Sequence, residues 1–147
     1  IGADIRDINP QMKELLQNKD LIAIDQDPEC RPPFLVSKRS VMVEEEDKEN
    51  AVEPLRRVRD KLYTFIKHLA DNEFVIAYFN LFEEEREINC IFADAGLPYS
   101  SGYGFEMKDI FTGEELGVKK DYHLVSVPGH DCRLYRCKLV KCDEYRK

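Results

Sequence analysis

At 147 residues, with 43% apolar, 10% aromatic and 35% charged residues, the chain is large enough to build one domain with a real core, and too rich in apolar residues for global disorder. Its formal net charge of −7 repels phosphate backbones, and no stretch interleaves clustered Lys and Arg with aromatics, which argues against a nucleic-acid partner. No apolar run approaches the roughly 20 residues that span a bilayer, and the amino end shows neither a basic leader nor a small-residue cleavage site, so the chain reads as soluble and cytoplasmic, with no membrane partner.

In chain order, Ile1-Gly2-Ala3-Asp4 reads as the end of a buried strand. Asn9-Pro10 is a helix start, since Asn caps free amides and Pro at the first helical position gives up an N–H that had no partner. Met12, Leu15 and Leu16 then share a face. Asn18 is a second cap before Leu21-Ile22-Ala23-Ile24, and Pro28 stops the run, which predicts two short helices with a kink between them. From about Glu29 to Arg59 the composition changes: Pro32-Pro33 bars helix and Glu44 to Asn50 is almost wholly charged or polar. A linker and charged loop over residues 29–60 follow, with a short strand at Val41–Val43.

From Lys61 onward the pattern turns to strands. Leu62–Ile66 is rich in β-branched and aromatic residues, Ala70-Asp71-Asn72-Glu73 is a turn, and the nearly continuous apolar run Phe74–Phe79 predicts the core strand. Further strands are expected at Glu87–Ala93, Phe105–Phe111, Tyr122–Val127 and Arg133–Val140, with Ile88, Cys90 and Phe92 on one face. Thr112-Gly113 and Pro128-Gly129 read as corners. The spacing predicts a mainly β domain, an antiparallel β-sandwich, over residues 61–147.

The five cysteines, Cys30, Cys90, Cys132, Cys137 and Cys142, are odd in number and irregularly spaced, and read as reduced thiols. A metal site from His130, Cys132, Cys137 and Cys142 is disfavoured by strand geometry, because Cys132 and Cys137 fall on opposite faces and Cys132 to Cys142 spans roughly 33 Å. A Cys–His nucleophile pair lacks an electropositive pocket. His130, between Gly129 and Asp131, reads as a turn anchor bonding backbone groups, and His68 and His123 as plain strand residues. The acidic runs Glu44-Glu45-Glu46, Glu83-Glu84-Glu85 and Glu114-Glu115 read as solvated turns whose neighbouring carboxylates point apart. Tyr99 and Tyr103, in a loop rich in Ser and Gly, are the best candidates for a sugar-stacking platform. No catalytic pair, metal or cofactor is expected.

The run from Asp4 to Pro28 contains an acid–aliphatic–Arg strand end, a Pro-started helix, Leu21-Ile22-Ala23-Ile24 and Gln26-Asp27-Pro28. In order and spacing it resembles the segment that closes the barrel of family 27 glycoside hydrolases, the α-galactosidases or melibiases. Met107–Gly117, with its Asp–aliphatic–aromatic–Thr-Gly corner, and Val125–Tyr135, with its Pro-x-His turn, are similar to that family's C-terminal sandwich. The resemblance implies a (β/α)8 barrel followed by an antiparallel β-sandwich, and retaining hydrolysis of terminal α-galactosides by two aspartates on earlier barrel strands. On that basis residues 1–28 are the end of the barrel, with no catalytic residue. Asp4 and Arg6, on the last barrel strand, are the residues able to support or touch substrate there. The implied partners are the catalytic barrel and, through it, an α-galactoside. The alternative is a non-catalytic carbohydrate-binding or purely structural sandwich. Because the helices' apolar faces lack the strands they evolved to cover, they are expected to dock on the sandwich or on a second copy, giving a homo-oligomer.

Overall fold

The computed structural model describes residues 5–45 and 55–142. After a short 3-10 turn at Ile5–Asp7 come α1, Pro10–Gln17, and α2, Lys19–Asp25. Both start where the caps predict. Asn9 accepts a hydrogen bond from the Gln11 amide at 2.8 Å, and Asn18 accepts from the amides of Asp20 and Leu21 at 3.0 and 3.1 Å. An extended Asn18 between the two helices makes the kink. The expected strand end at residues 1–4, and Asp4 with it, lies outside the described residues.

Eight strands follow among the described residues: β1 Phe34–Glu45, β2 Leu55–His68, β3 Glu73–Asn80, β4 Arg86–Ile91, β5 Tyr103–Asp109, β6 Glu115–Lys119, β7 Tyr122–Val127 and β8 Asp131–Lys141. Six form one antiparallel sheet in the order β1-β2-β3-β8-β5-β6, and β4 pairs with β7 in a second. The sandwich is therefore mainly antiparallel β, as predicted, but lopsided.

Alternation along β3 sorts its residues between two environments. Phe74, Ile76, Tyr78 and Asn80 face the small sheet. There they join Leu62 and Ile66 of β2, Ile88 and Cys90 of β4, Phe105 and Met107 of β5, Val127 of β7, and Tyr135 and Cys137 of β8 in one buried cluster that also takes in Phe92. Ile88, Cys90 and Phe92 do share the buried face. Val75 lies on the opposite side of the large sheet, in a second cluster with Leu69, Ile110 and Leu134 that is covered by Leu21 and Ile24 of α2. Thus α2 docks on the sandwich, as one of the two expected alternatives had it. The docking is tied by polar contacts as well: Asn18 Nδ2 donates to the Ile110 carbonyl at 3.4 Å. Asp27, itself buried, accepts from the Ala70 amide at 3.0 Å and from the Glu29 amide at 3.1 Å.

Two elements differ from the sequence-based expectation. The stretch taken as a linker and charged loop is mostly strand: β1 covers residues 34–45, far longer than Val41–Val43, and β2 begins at Leu55. Its charges are not a loop signature but cross-strand partners on a solvated hairpin, with Lys38 Nζ 2.8 Å from Asp60 and Arg56 Nε 3.1 Å from Glu44. Charged side chains on an edge strand such as β1 also guard it against adding further strands. The most acidic part of the expected loop, residues 46–54, lies outside the described residues. The second difference is β6, whose Glu-Leu-Gly-Val-Lys sequence gives no strand signal. A bulge between Met107 and Lys108 and a left-handed Gly117 (φ +68°) let this edge strand pair with β5.

Two corners are held by side chains. At Asp109, Oδ1 accepts from the amides of Phe111 and Thr112 and turns the chain toward Gly113. At the other end Asn80, wholly buried, donates through Nδ2 to the carbonyls of Glu84, Val127 and Pro128 and accepts from the Phe82 amide. Gly129 completes that corner, because a Cβ there would sit 1.9 Å from the Glu83 carbonyl oxygen.

Candidate functional site

Acid–base catalysis needs two carboxylates that face each other in environments that push their proton affinities apart. The Glu83-Glu84-Glu85 run instead fans out as predicted. Glu83 meets His130 Nε2 at 3.0 Å, Glu84 meets Arg86 at 3.2 Å, and Glu85 accepts from the Ser126 hydroxyl. All three are exposed. His130 does anchor this turn, but with its ring on the Glu83 carboxylate; its backbone amide, not its imidazole, bonds the Phe82 carbonyl.

The thiols are equally unsuited to nucleophilic work. All five are free, and Cys132 pairs with Phe79 on the outer side of the sheet while Cys137 pairs with Phe74 on the inner. Burial pushes Cys90 up to about 11 and raises Cys132 and Cys137 as well, which keeps them protonated at neutral pH. Among the described residues no group of His, Cys, Asp and Glu is placed to hold a metal ion.

His123 is the titratable group the sequence reading undervalued. It is 5% exposed. Its Nδ1 lies 3.0 Å from the Tyr78 hydroxyl and its ring packs edge-on to Tyr135 at 4.7 Å between centroids. Burial, with a smaller contribution from the Lys119 charge, lowers its pKa to about 4, and burial raises that of the Tyr78 phenol. A neutral imidazole accepting from a protonated phenol is a core hydrogen bond, not a poised acid or base.

Of the residues singled out for sugar contact, Arg6 lies exposed in the 3-10 turn ahead of α1. Tyr99 and Tyr103 are 57% and 44% exposed. Their loop is shaped by left-handed Ser100 and Gly102 and by the Tyr103 amide donating to Ser101 Oγ at 3.2 Å. Both rings thus face solvent.

A broader surface lies on the outer face of the large sheet. Tyr63 and Phe65 stack at 5.9 Å, Phe65 meets Phe79 edge-on at 5.9 Å, and strand register sets Leu35 and Ala77 beside them. This half-buried stripe continues through Leu134 to the residues under α2. Beyond it, α1 presents Met12, Leu15 and Leu16 to solvent. Apolar surface on a sheet face next to an apolar helix face is the signature of a surface made to be covered.

The sequence pattern of the α-galactosidase C-terminal β-sandwich domain matches residues 59–137, more than half of the chain. The chain belongs to this family. Among solved structures, α-galactosidase I from Mortierella vinacea superposes with a TM-score of 0.71 at 22% identity over 97% of this chain and 32% of its own. The α-galactosidase from Saccharomyces cerevisiae, solved with raffinose, gives 0.73 at 14% identity over 95% of this chain and 40% of its own. A family 27 β-L-arabinopyranosidase from Geobacillus stearothermophilus gives 0.60 at 17% identity over 97% of this chain and 26% of its own. The chain therefore spans a quarter to two-fifths of these solved chains, and at such identities the likeness is one of fold. No match was found among curated proteins.

Proposed function

We propose that this chain is the C-terminal portion of a retaining exo-α-galactosidase that hydrolyses terminal α-galactosides, and that its sandwich buttresses a catalytic barrel rather than carrying out the chemistry. Such a reaction needs two carboxyl groups about 5–5.5 Å apart, one the nucleophile and the other the acid/base; among the described residues the solvated, divergent Glu83, Glu84 and Glu85 do not supply them. On this reading α1 and α2 are the last helices of the barrel. The resemblance gives Asp4 and Arg6 the task of orienting neighbouring loops or reaching the sugar, with Arg6 acting from the 3-10 turn ahead of α1 and not from a strand.

The observation that carries the proposal is the apolar surface left by the outer sheet face and α1: Tyr63, Phe65 and Phe79 on one side, Met12, Leu15 and Leu16 on the other. A barrel laid against α2 covers both at once. The five free thiols suit a reducing compartment such as the cytoplasm. Exposed Tyr99 and Tyr103 favour the second reading, a sandwich that also binds carbohydrate.

Leu15→Asp tests the buttress. In the 147-residue chain Leu15 is half exposed, so the substitution should change stability by no more than about 0.5 kcal/mol. In the longer protein with its barrel it should lower the melting temperature by several degrees and reduce α-galactosidase activity, because a carboxylate is then buried without a partner. Equal, small effects in both proteins would refute a barrel seated on α1.

A further inference from the structure

The β1–β2 hairpin runs on past the sheet it belongs to. Pairing between β2 and β3 starts at Leu62, whereas β1 and β2 stay in register out to Glu45 and Leu55. Residues 40–45 and 55–60 therefore form an arm of two strands, with no third strand beside it among the described residues. Strand alternation puts Met42 and its register partner Val58 on one face of the arm, 67% and 65% exposed, and half-buried Val41 and Val43 on the other. A ribbon of two strands is marginal in water, and further strands stabilise it.

The open side of this arm is the free edge of β1. Its charges discourage a strand of unrelated sequence, but they are sorted: Lys38-Arg39 at one end, Val41-Met42-Val43 in the middle and Glu44-Glu45 at the other. A strand in that order is complementary to its own reverse. Parallel self-pairing would set like charges side by side, while antiparallel self-pairing brings the basic end of each copy to the acidic end of the other. Only registers that keep the alternation of faces are open to it. One of them sets Met42 opposite Met42, Val41 opposite Val43 and Arg39 opposite position 45, a glutamate. The next, centred on Val41, would set Lys38 against Glu44, and both are already held within the hairpin, by Asp60 and Arg56. Exposed Arg39, by contrast, has no ion-pair partner among the described residues.

We propose that the β1 edge is a self-association surface, through which two copies of this chain join antiparallel strands about a two-fold axis at Met42. The union gives each arm the further strands it lacks and pairs Arg39 with the acidic end of the other copy on both sides of the axis. Because the same edge is used on both copies, the assembly closes at a dimer. The opposite edge, β6, is short and carries a left-handed Gly117, which makes it a poor template for extending the sheet further. Strands added at β1 extend the sheet sideways, in its own plane, so the outer sheet face and α1 stay open to a barrel. The inference goes beyond the buttress reading and does not depend on it.

The test is sedimentation velocity on the 147-residue chain at about 0.15 M salt, where long-range repulsion between two copies of net charge −7 is screened. It should show a monomer–dimer equilibrium with a dissociation constant on the order of 10–100 μM, weak because the contact is small. Arg39→Glu and Glu45→Arg each set like charges opposite one another on both sides of the axis, and each should weaken the dimer by about tenfold. Mixed together, the two variants restore opposite charges and should form a heterodimer as tight as the wild type, which misfolded variants would not do. Met42→Lys, at an exposed position, sets two ammonium groups face to face on the axis and should also give monomers. A wild-type chain that stays monomeric at about 300 μM would overturn the proposal. So would a dimer that persists in all three variants, as one built on α1 would, or folded charge variants that fail to recover when mixed.

Discussion

Lowering the pH should destabilise this domain through His123 in a way that can be separated from its many carboxylates. The imidazole is buried between Tyr78 and Tyr135, and its pKa falls to about 4, first through burial and then through the Lys119 charge. In the unfolded chain the same group titrates near about 6.5. Between those values the unfolded chain binds a proton that the folded chain does not. The contribution is thus fully present above about pH 6.5 and is lost as the pH falls toward about 4. Linkage puts the loss at about 2 kcal/mol by pH 5, an upper limit because water screens the Lys119 part. His123→Gln is the informative variant, since glutamine still accepts from the Tyr78 hydroxyl but does not titrate. Urea unfolding at pH 7.5 and pH 5 should show the wild type losing about 2 kcal/mol more than the variant, the carboxylate contribution being common to both. An NMR titration should place the His123 midpoint near 4. A midpoint near the ordinary histidine value, or the same pH dependence in both proteins, would refute the reasoning.

Other substitutions probe the corners and the helix dock. Asn80→Ala strands three carbonyls and one amide, and should cost about 3–4 kcal/mol in urea unfolding; Asn80→Asp should not rescue it, because a carboxylate cannot donate. Gly129→Ala drives a methyl into the Glu83 carbonyl and should cost about 1–3 kcal/mol, read as a fall in melting temperature. Asp27→Ala releases the amides of Ala70 and Glu29 and should cost about 1–2 kcal/mol, with faster hydrogen exchange at Ala70 while β3 stays protected. Iodoacetamide should modify exposed Cys30 well before buried Cys90 and Cys137.

Much of the fold was legible because local signals and tertiary placement agree. Asn9-Pro10 and Asn18 cap the helices from their own neighbourhood, and the apolar run Phe74–Phe79 becomes a strand flanked on both edges, by β2 and β8. Beyond Val41–Val43 and Leu62–Ile66, the rest of strands β1 and β2 was missed because these strands are solvated on much of their surface; cross-strand pairs such as Lys38 with Asp60 are invisible until the register is known. Strand β6 was missed because a left-handed glycine and a neighbour's bulge, not side-chain pattern, make its pairing possible.

The site residues divide in the same way. The Glu83-Glu84-Glu85 run was readable as solvated because adjacent side chains in a turn diverge whatever surrounds them. His123 was not, since its partner Tyr78 lies 45 residues away in sequence on the other sheet.

The proposed division of labour between sandwich and barrel is tested most directly by hydrolysis of a chromogenic α-galactoside by the purified 147-residue chain, beside the longer protein that carries the barrel. Turnover by the longer protein and none by the chain is the expected result. Turnover by the chain itself would contradict it and place a working pair of carboxylates within these residues.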